Sequence, residues 1–231
     1  AFGLRNPNVA GRFFVPIALC LLYLYYRKPP VVLAITIASI IVGYTTGSTM
    51  SLFVLLLSIL VFVFIDNKFT KKVIRKLAPH SFLIITASAF VIGILFGYKE
   101  TLPNEVNTAL TGRPYAYGLR IENGSYINLF GNNDAYSTMH NDEVNSTLAL
   151  DNMPLYTMVF YGLIVYVMYL FLYYKAGKII KDDMILAIGV LLSIVMLTEK
   201  NGLVIDNIYI IFAVKYVFNF YFNQESSYEK I

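Results

Sequence analysis

The sequence predicts an all-α integral membrane protein, a multi-span helical bundle of about seven spans with a long external loop between spans four and five. Three observations lead there. Of 231 residues, 58% are hydrophobic and only 14% are charged, against about 25% charged in an ordinary soluble domain. The apolar residues gather in repeated runs nearly free of charge, close to the ~20 residues a helix needs to cross a hydrocarbon core about 30 Å thick. The basic residues are also sorted along the chain. Together these exclude a soluble enzyme, a disordered chain and a nucleic-acid-binding module.

The spans follow in order as 13–26, 31–44, 49–65, 81–97, 153–174, 184–198 and 203–222. The first is short, and the second ends near the polar stretch 44–51, so either could be tilted or broken. Assigned alternately to the two sides, the connections place Arg27, Lys28, Lys68, Lys71, Lys72, Arg75, Lys76, Lys175, Lys178, Lys181 and Lys230 together, eleven of the eighteen basic residues. Arg5, Arg12, Lys99, Arg113, Arg120 and Lys200 fall on the other side, and Lys215 lies within the last span. The richer side is expected in the cytoplasm. Tyr23, Tyr25, Tyr26, Tyr173 and Tyr174 sit near span ends, as interfacial belts require. The single cysteine, Cys20, allows no intrachain disulfide. The opening Ala1 and the absence of a signal-peptide pattern in residues 1–12 suggest the C-terminal part of a longer protein. Residues 1–231 form one transmembrane domain in this reading.

The outer segment 98–152 is the candidate site. Long connections without spans are uncommon and often functional, and this one holds seven acids, three basic residues and His140. Val106 and Leu110 after Pro103 have the spacing of a short surface helix, and 126–130 reads as an interfacial segment. Arg5, Arg12, Arg113 and Arg120 lie on the side that membrane charge bias disfavours. Arginine forks onto phosphate oxygens, so such a cluster could bind pyrophosphate, or its members could snorkel or pair with the loop's acids. Gly112 before Arg113 permits close backbone approach or ends a helix. Asp151 is either a helix N-cap or a general base. His140, beside Asp142 and Glu143, is a second candidate base or a solvated side chain. Glu199 and Lys200 form a short outer turn. Asp206 and Lys215 are ionisable groups in the last span and the feature most favourable to a transporter. No Asp-x-Asp pair, phosphate-binding glycine loop or metal-spaced His/Cys cluster occurs. Phosphate chemistry would therefore rest on arginines, with no metal and no cofactor.

The segments Phe2-Gly3-Leu4-Arg5-Asn6-Pro7-Asn8, Leu110-Thr111-Gly112-Arg113, Leu129-Phe130-Gly131, Asp151-Asn152 and Tyr161-Gly162-Leu163-Ile164 occur in this order over nearly the whole chain. In that order they resemble Wzy-type polymerases of O-antigen, capsule or exopolysaccharide repeat units, in the O-antigen ligase/polymerase superfamily. The resemblance implies a multi-pass protein of the bacterial cytoplasmic membrane with its active site facing outside. Its substrate would be a polyprenyl (undecaprenyl) pyrophosphate-linked saccharide, joined by metal-independent glycosyl transfer. Its partners would be the lipid bilayer, a flippase and a chain-length regulator, with no nucleic acid. Arg113 matches the Gly-Arg motif best, with Arg5 matching the arginine of an earlier external loop and Glu199 an acid. Catalysis would fall to Arg113, Asp151 and His140. Arg5, Arg12, Arg120 and Glu199 would bind pyrophosphate or sugar, and Tyr115, Tyr117 and Tyr126 could stack on sugar rings. Relatives carry His-Asn or Asp-Asn where this chain has Asp151-Asn152; if His is the working form, Asp151 departs from it, because an ionised Asp accepts a proton but repels pyrophosphate. The alternatives are an O-antigen ligase-type glycan transferase and, in another class, a polysaccharide flippase or transporter.

Overall fold

Prolines start the first two helices. Helices α1 (Pro7–Tyr25) and α2 (Pro29–Thr46) each begin at a proline, where the missing N–H is no loss because first-turn donors have no helical partner. The Lys28 carbonyl accepts the Val31 and Val32 amides at 2.9 and 3.1 Å and closes the turn into α2. The computed structural model describes residues 7–46, 49–98, 103, 127–131, 153–197 and 207–228.

Helix α3 (Thr49–Val63) follows. Helix α4 (Lys68–Leu77) is capped by Asn67, whose Oδ1 accepts the Phe69 amide at 2.8 Å. A 3₁₀ turn, Ala78–His80, leads into α5 (Ser81–Ile92), which widens into a π-helical turn at Gly93–Tyr98. The short α6 (Met153–Tyr156) passes through a second π turn, Thr157–Tyr161, into α7 (Gly162–Ile179). Helices α8 (Asp183–Met196) and α9 (Ile208–Tyr228) complete the set. Among the described residues every regular element is helical.

Each expected span has its helix. Two stretches, Lys68–Leu95 and Met153–Ile179, are long and apolar enough to cross a membrane. In the first, the charged residues are confined to α4 and the apolar part begins at Ala78. The sequence reading assigned no element to 68–77, because ten residues with five cations make no apolar run. The helical period is nonetheless there: Phe69, Val73 and Leu77 share one face and Lys68, Lys72 and Lys76 another. Helix α1 starts at Pro7, ahead of the expected 13, and therefore includes Arg12.

The chain divides into two compact units. One comprises Ala1–Ser81, Leu172–Val195 and Asn201–Ile231; the other comprises Phe82–Phe171 and Met196–Lys200. In the first, α1, α2 and α3 pack on one another and bury Leu19, Leu22, Val54, Leu55 and Phe62. Its buried serine hydroxyls find acceptors one turn back. Ser39 donates to Ile35 at 2.6 Å, Ser58 to Val54 at 2.5 Å and Ser193 to Gly189 at 2.8 Å. That is how a hydroxyl is satisfied where water is excluded. In the second unit, the Phe82 ring lies 5.9 Å from Tyr169 and 5.7 Å from Tyr166. Ala89, Leu155 and Val159 form a small core there with Phe90, Phe160 and Leu197 against it.

Candidate functional site

The loop expected to carry the site is described at Pro103 and at 127–131, and the second piece shows how it is fastened. The first backbone amides of a helix have no helical acceptor. At the start of α7 two such donors are met from the loop: Leu163 N–H donates to the Asn128 carbonyl at 2.9 Å and Ile164 N–H to the Leu129 carbonyl at 3.3 Å. The two chains cross so closely that only glycine fits on either side. Gly131 has φ 80° and Gly162 has φ 87°, the region that a Cβ disfavours. A Cβ at Gly131 would meet the Phe160 carbonyl, and one at Gly162 would meet the Gly131 nitrogen and the Leu129 carbonyl. The crossing thus joins Leu129-Phe130-Gly131 to Tyr161-Gly162-Leu163-Ile164, two of the motifs quoted for the family resemblance.

Aromatic rings surround this anchor. Tyr156 stacks on Phe160 at 4.3 Å and meets Tyr161 edge-on at 5.8 Å. Phe130 is 83% exposed and Leu129 56%. Thr157 is fully buried and donates to the Met153 carbonyl at 2.9 Å, within the π turn. Sequence reading missed the role of the two glycines as partners, since nothing in one dimension pairs residues 31 positions apart.

Of the expected site residues, Arg12 lies in the second turn of α1. Arg5, Arg113, Tyr115, Tyr117, Arg120, His140, Asp151 and Glu199 lie outside the described residues, as do Tyr126, Lys200 and Asp206. Lys215 is exposed on α9. No cluster of three or more His, Cys, Asp or Glu able to hold a metal occurs among the described residues.

A second polar region lies at one end of the first unit, where the basic connections meet. Arg27, between α1 and α2, donates to Asp66, between α3 and α4, at 3.1 Å. That carboxylate pushes the guanidinium further above its usual range through the hydrogen bond and its charge. Arg75 of α4 grips Asp183 with Nε at 2.5 Å and Nη2 at 3.1 Å. Asp182 caps α8, its Oδ1 accepting the Met184 and Ile185 amides at 2.8 and 3.2 Å, while Oδ2 accepts the Tyr23 hydroxyl at 3.2 Å. Lys175 lies over the Tyr221 ring at 5.7 Å and Lys178 over Tyr174 at 5.9 Å. A third polar feature, also in this unit, is buried: Asn207 donates to the Tyr173 hydroxyl at 2.9 Å, with the Tyr209 ring tilted against Tyr173 at 5.1 Å.

No protein-family model, curated protein or solved structure matches this chain.

Proposed function

We propose that the chain is a multi-span membrane glycosyltransferase that polymerises polyprenyl-pyrophosphate-linked saccharide repeat units on the outer side of the bacterial cytoplasmic membrane. What supports the proposal is the crossing of Gly131 and Gly162, which brings together two of the segments that carry the resemblance. It ties the polar 98–152 segment to the head of a helix. The gathering of Arg27, Arg75, Lys175 and Lys178 at one end of the first unit supports alternating spans with a cytoplasmic basic side. In this reading α1, α2, α3, α5, α6 with α7, α8 and α9 are the seven spans, and 98–152 faces outward.

The chemistry follows from what a lipid-linked sugar needs. A hydroxyl of one lipid-linked saccharide attacks the anomeric carbon of another. The C–O bond to pyrophosphate breaks, and its electron pair leaves with the phosphate. Arg113, with Arg5 or Arg12, stabilises the departing charge; fixed donors of this kind contribute about 2.7–4 kcal/mol each. Asp151 or His140 takes the hydroxyl proton, an effect of about 10²–10⁴ in rate. Arg113→Ala is expected to abolish polymer and leave single lipid-linked units, as read by gel analysis of extracted glycolipids. Arg113→Lys keeps the charge but loses the fork and should restore little. Polymer of normal length in Arg113→Ala overturns the assignment. Accumulation of long lipid-linked polymer would instead assign the ligase reaction.

A further inference from the structure

Helices α7 and α9 flank an open hollow of about 1000 Å³ at the basic end of the first unit. Its polar lining includes Lys175, Lys178, Lys181, Tyr216, Asn219 and Tyr221. All of these can donate hydrogen bonds, and three carry positive charge. A second hollow of about 430 Å³ opens on the other side of Lys178 and Lys181 and reaches Arg75. These two lysines are exposed and line both spaces.

One carboxylate, Asp182, lies in the lining of the larger cavity and would repel an anion. Its oxygens are already engaged by two backbone amides and the Tyr23 hydroxyl, and it sits at the positive end of α8. Asp183 is likewise engaged, by Arg75 and by Lys71 at 4.0 Å. Asp183 thus pairs with α4 and not with Lys178 or Lys181. Lys178, in the last turn of α7, does favour its C-terminal carbonyls, but that role requires neither a hollow nor the polar groups of α9 across from it. The lining also has apolar members, Ile179 and Phe220. Beside it on α9, Phe218 and Phe222 stack at 4.2 Å and stand 56% and 58% exposed. Cations and hydroxyls next to outward-facing rings match an amphiphile with a phosphate head.

We propose that this cavity is a binding site for the phosphate group of an anionic lipid, held by Lys178 and Lys181 with Tyr216 and Asn219. It does not rest on the polymerase reading. Because the chain contains no tryptophan, Phe220→Trp places a unique fluorophore in the lining. The full chain carrying F220W is titrated in neutral detergent with brominated phosphatidylglycerol, brominated phosphatidylcholine and soluble glycerol phosphate. Quenching is expected with the brominated phosphatidylglycerol at far lower concentration than with phosphatidylcholine. In the same background, K178Q/K181Q should weaken it roughly 25-fold, two headgroup contacts of about fivefold each. K178R/K181R should retain most of the affinity. K72Q/K76Q removes two charges from α4 and controls for the diffuse field; it should cost less than about threefold, since outside the cavity only screened attraction remains. If glycerol phosphate displaces the lipid at equal concentration and with the same lysine dependence, the occupant is a free phosphate ester; if it does not, the occupant is the lipid. Equal quenching by both brominated lipids overturns the site, and that comparison needs no lysine variant to fold. An equal loss in K178Q/K181Q and K72Q/K76Q also overturns it, leaving only a charged surface.

Discussion

Gly162 illustrates how much one missing methyl group decides. A residue with a Cβ at φ 87°, ψ 170° costs about 1–3 kcal/mol, and here that Cβ would also strike the backbone of the crossing segment. Gly162→Ala is therefore expected to release residues 127–131 from α7. The check is limited proteolysis: cleavage within 127–131 should rise sharply while α7 stays intact. Unchanged protection would mean that the two glycines do not hold the loop. If the loop carries the catalytic arginine, polymer formation should fall in the same variant although no proposed catalytic residue has been touched.

At the scale of single elements, caps decide where helices begin. Asp182→Ala removes the acceptor for two amides of α8 and the partner of Tyr23, and cap losses of this kind cost about 1 kcal/mol. Asp182→Asn keeps Oδ1 as an acceptor and should recover most of the loss, as read by thermal unfolding in detergent. A drop of equal size in both variants would place the effect in the charge and not in the cap. Helix α4 depends in the same way on Asn67. Asn67→Ala should speed amide hydrogen exchange at Phe69 and Thr70, and Asn67→Asp should not. The cap signal at 67 and the helical period of 68–77 are both present in the sequence, but no apolar run marks α4, and only the fold shows that it buries Ile74.

For the molecule as a whole, the decisive feature is which side of each helix faces out. On α2 the exposed side carries Leu33, Ile37, Ile40, Ile41 and Tyr44, and on α7 it carries Leu163, Ile164, Val167, Met168 and Phe171. Ser39, Ser58, Thr157 and Ser193 are turned inward. Water disfavours contiguous apolar surface of this kind. Ile37→Lys separates the two possible surroundings. Facing lipid, it should cost about 2.5–3.5 kcal/mol and lower the inserted yield; facing water, it should change stability by no more than about 0.5 kcal/mol. Orientation has its own test. In a Cys20→Ala background, Lys72→Cys should react with a membrane-impermeant thiol reagent only after the membrane is opened, and Ser137→Cys in intact cells. The reverse pattern would invert the topology and place 98–152 in the cytoplasm.

Composition and periodicity alone determined the helical class, the number and order of apolar segments and the sorting of cations, because burial in hydrocarbon demands long uncharged helices whatever their neighbours. The candidate arginines were legible in the same way, as charges standing against a bias. Tertiary structure alone decided which distant residues meet: Gly131 with Gly162, Arg75 with Asp183, Asn207 with Tyr173, and the lysines of α7 with the tyrosines of α9 around a hollow. Such pairings depend on packing and backbone direction, and neither leaves a local trace along the chain.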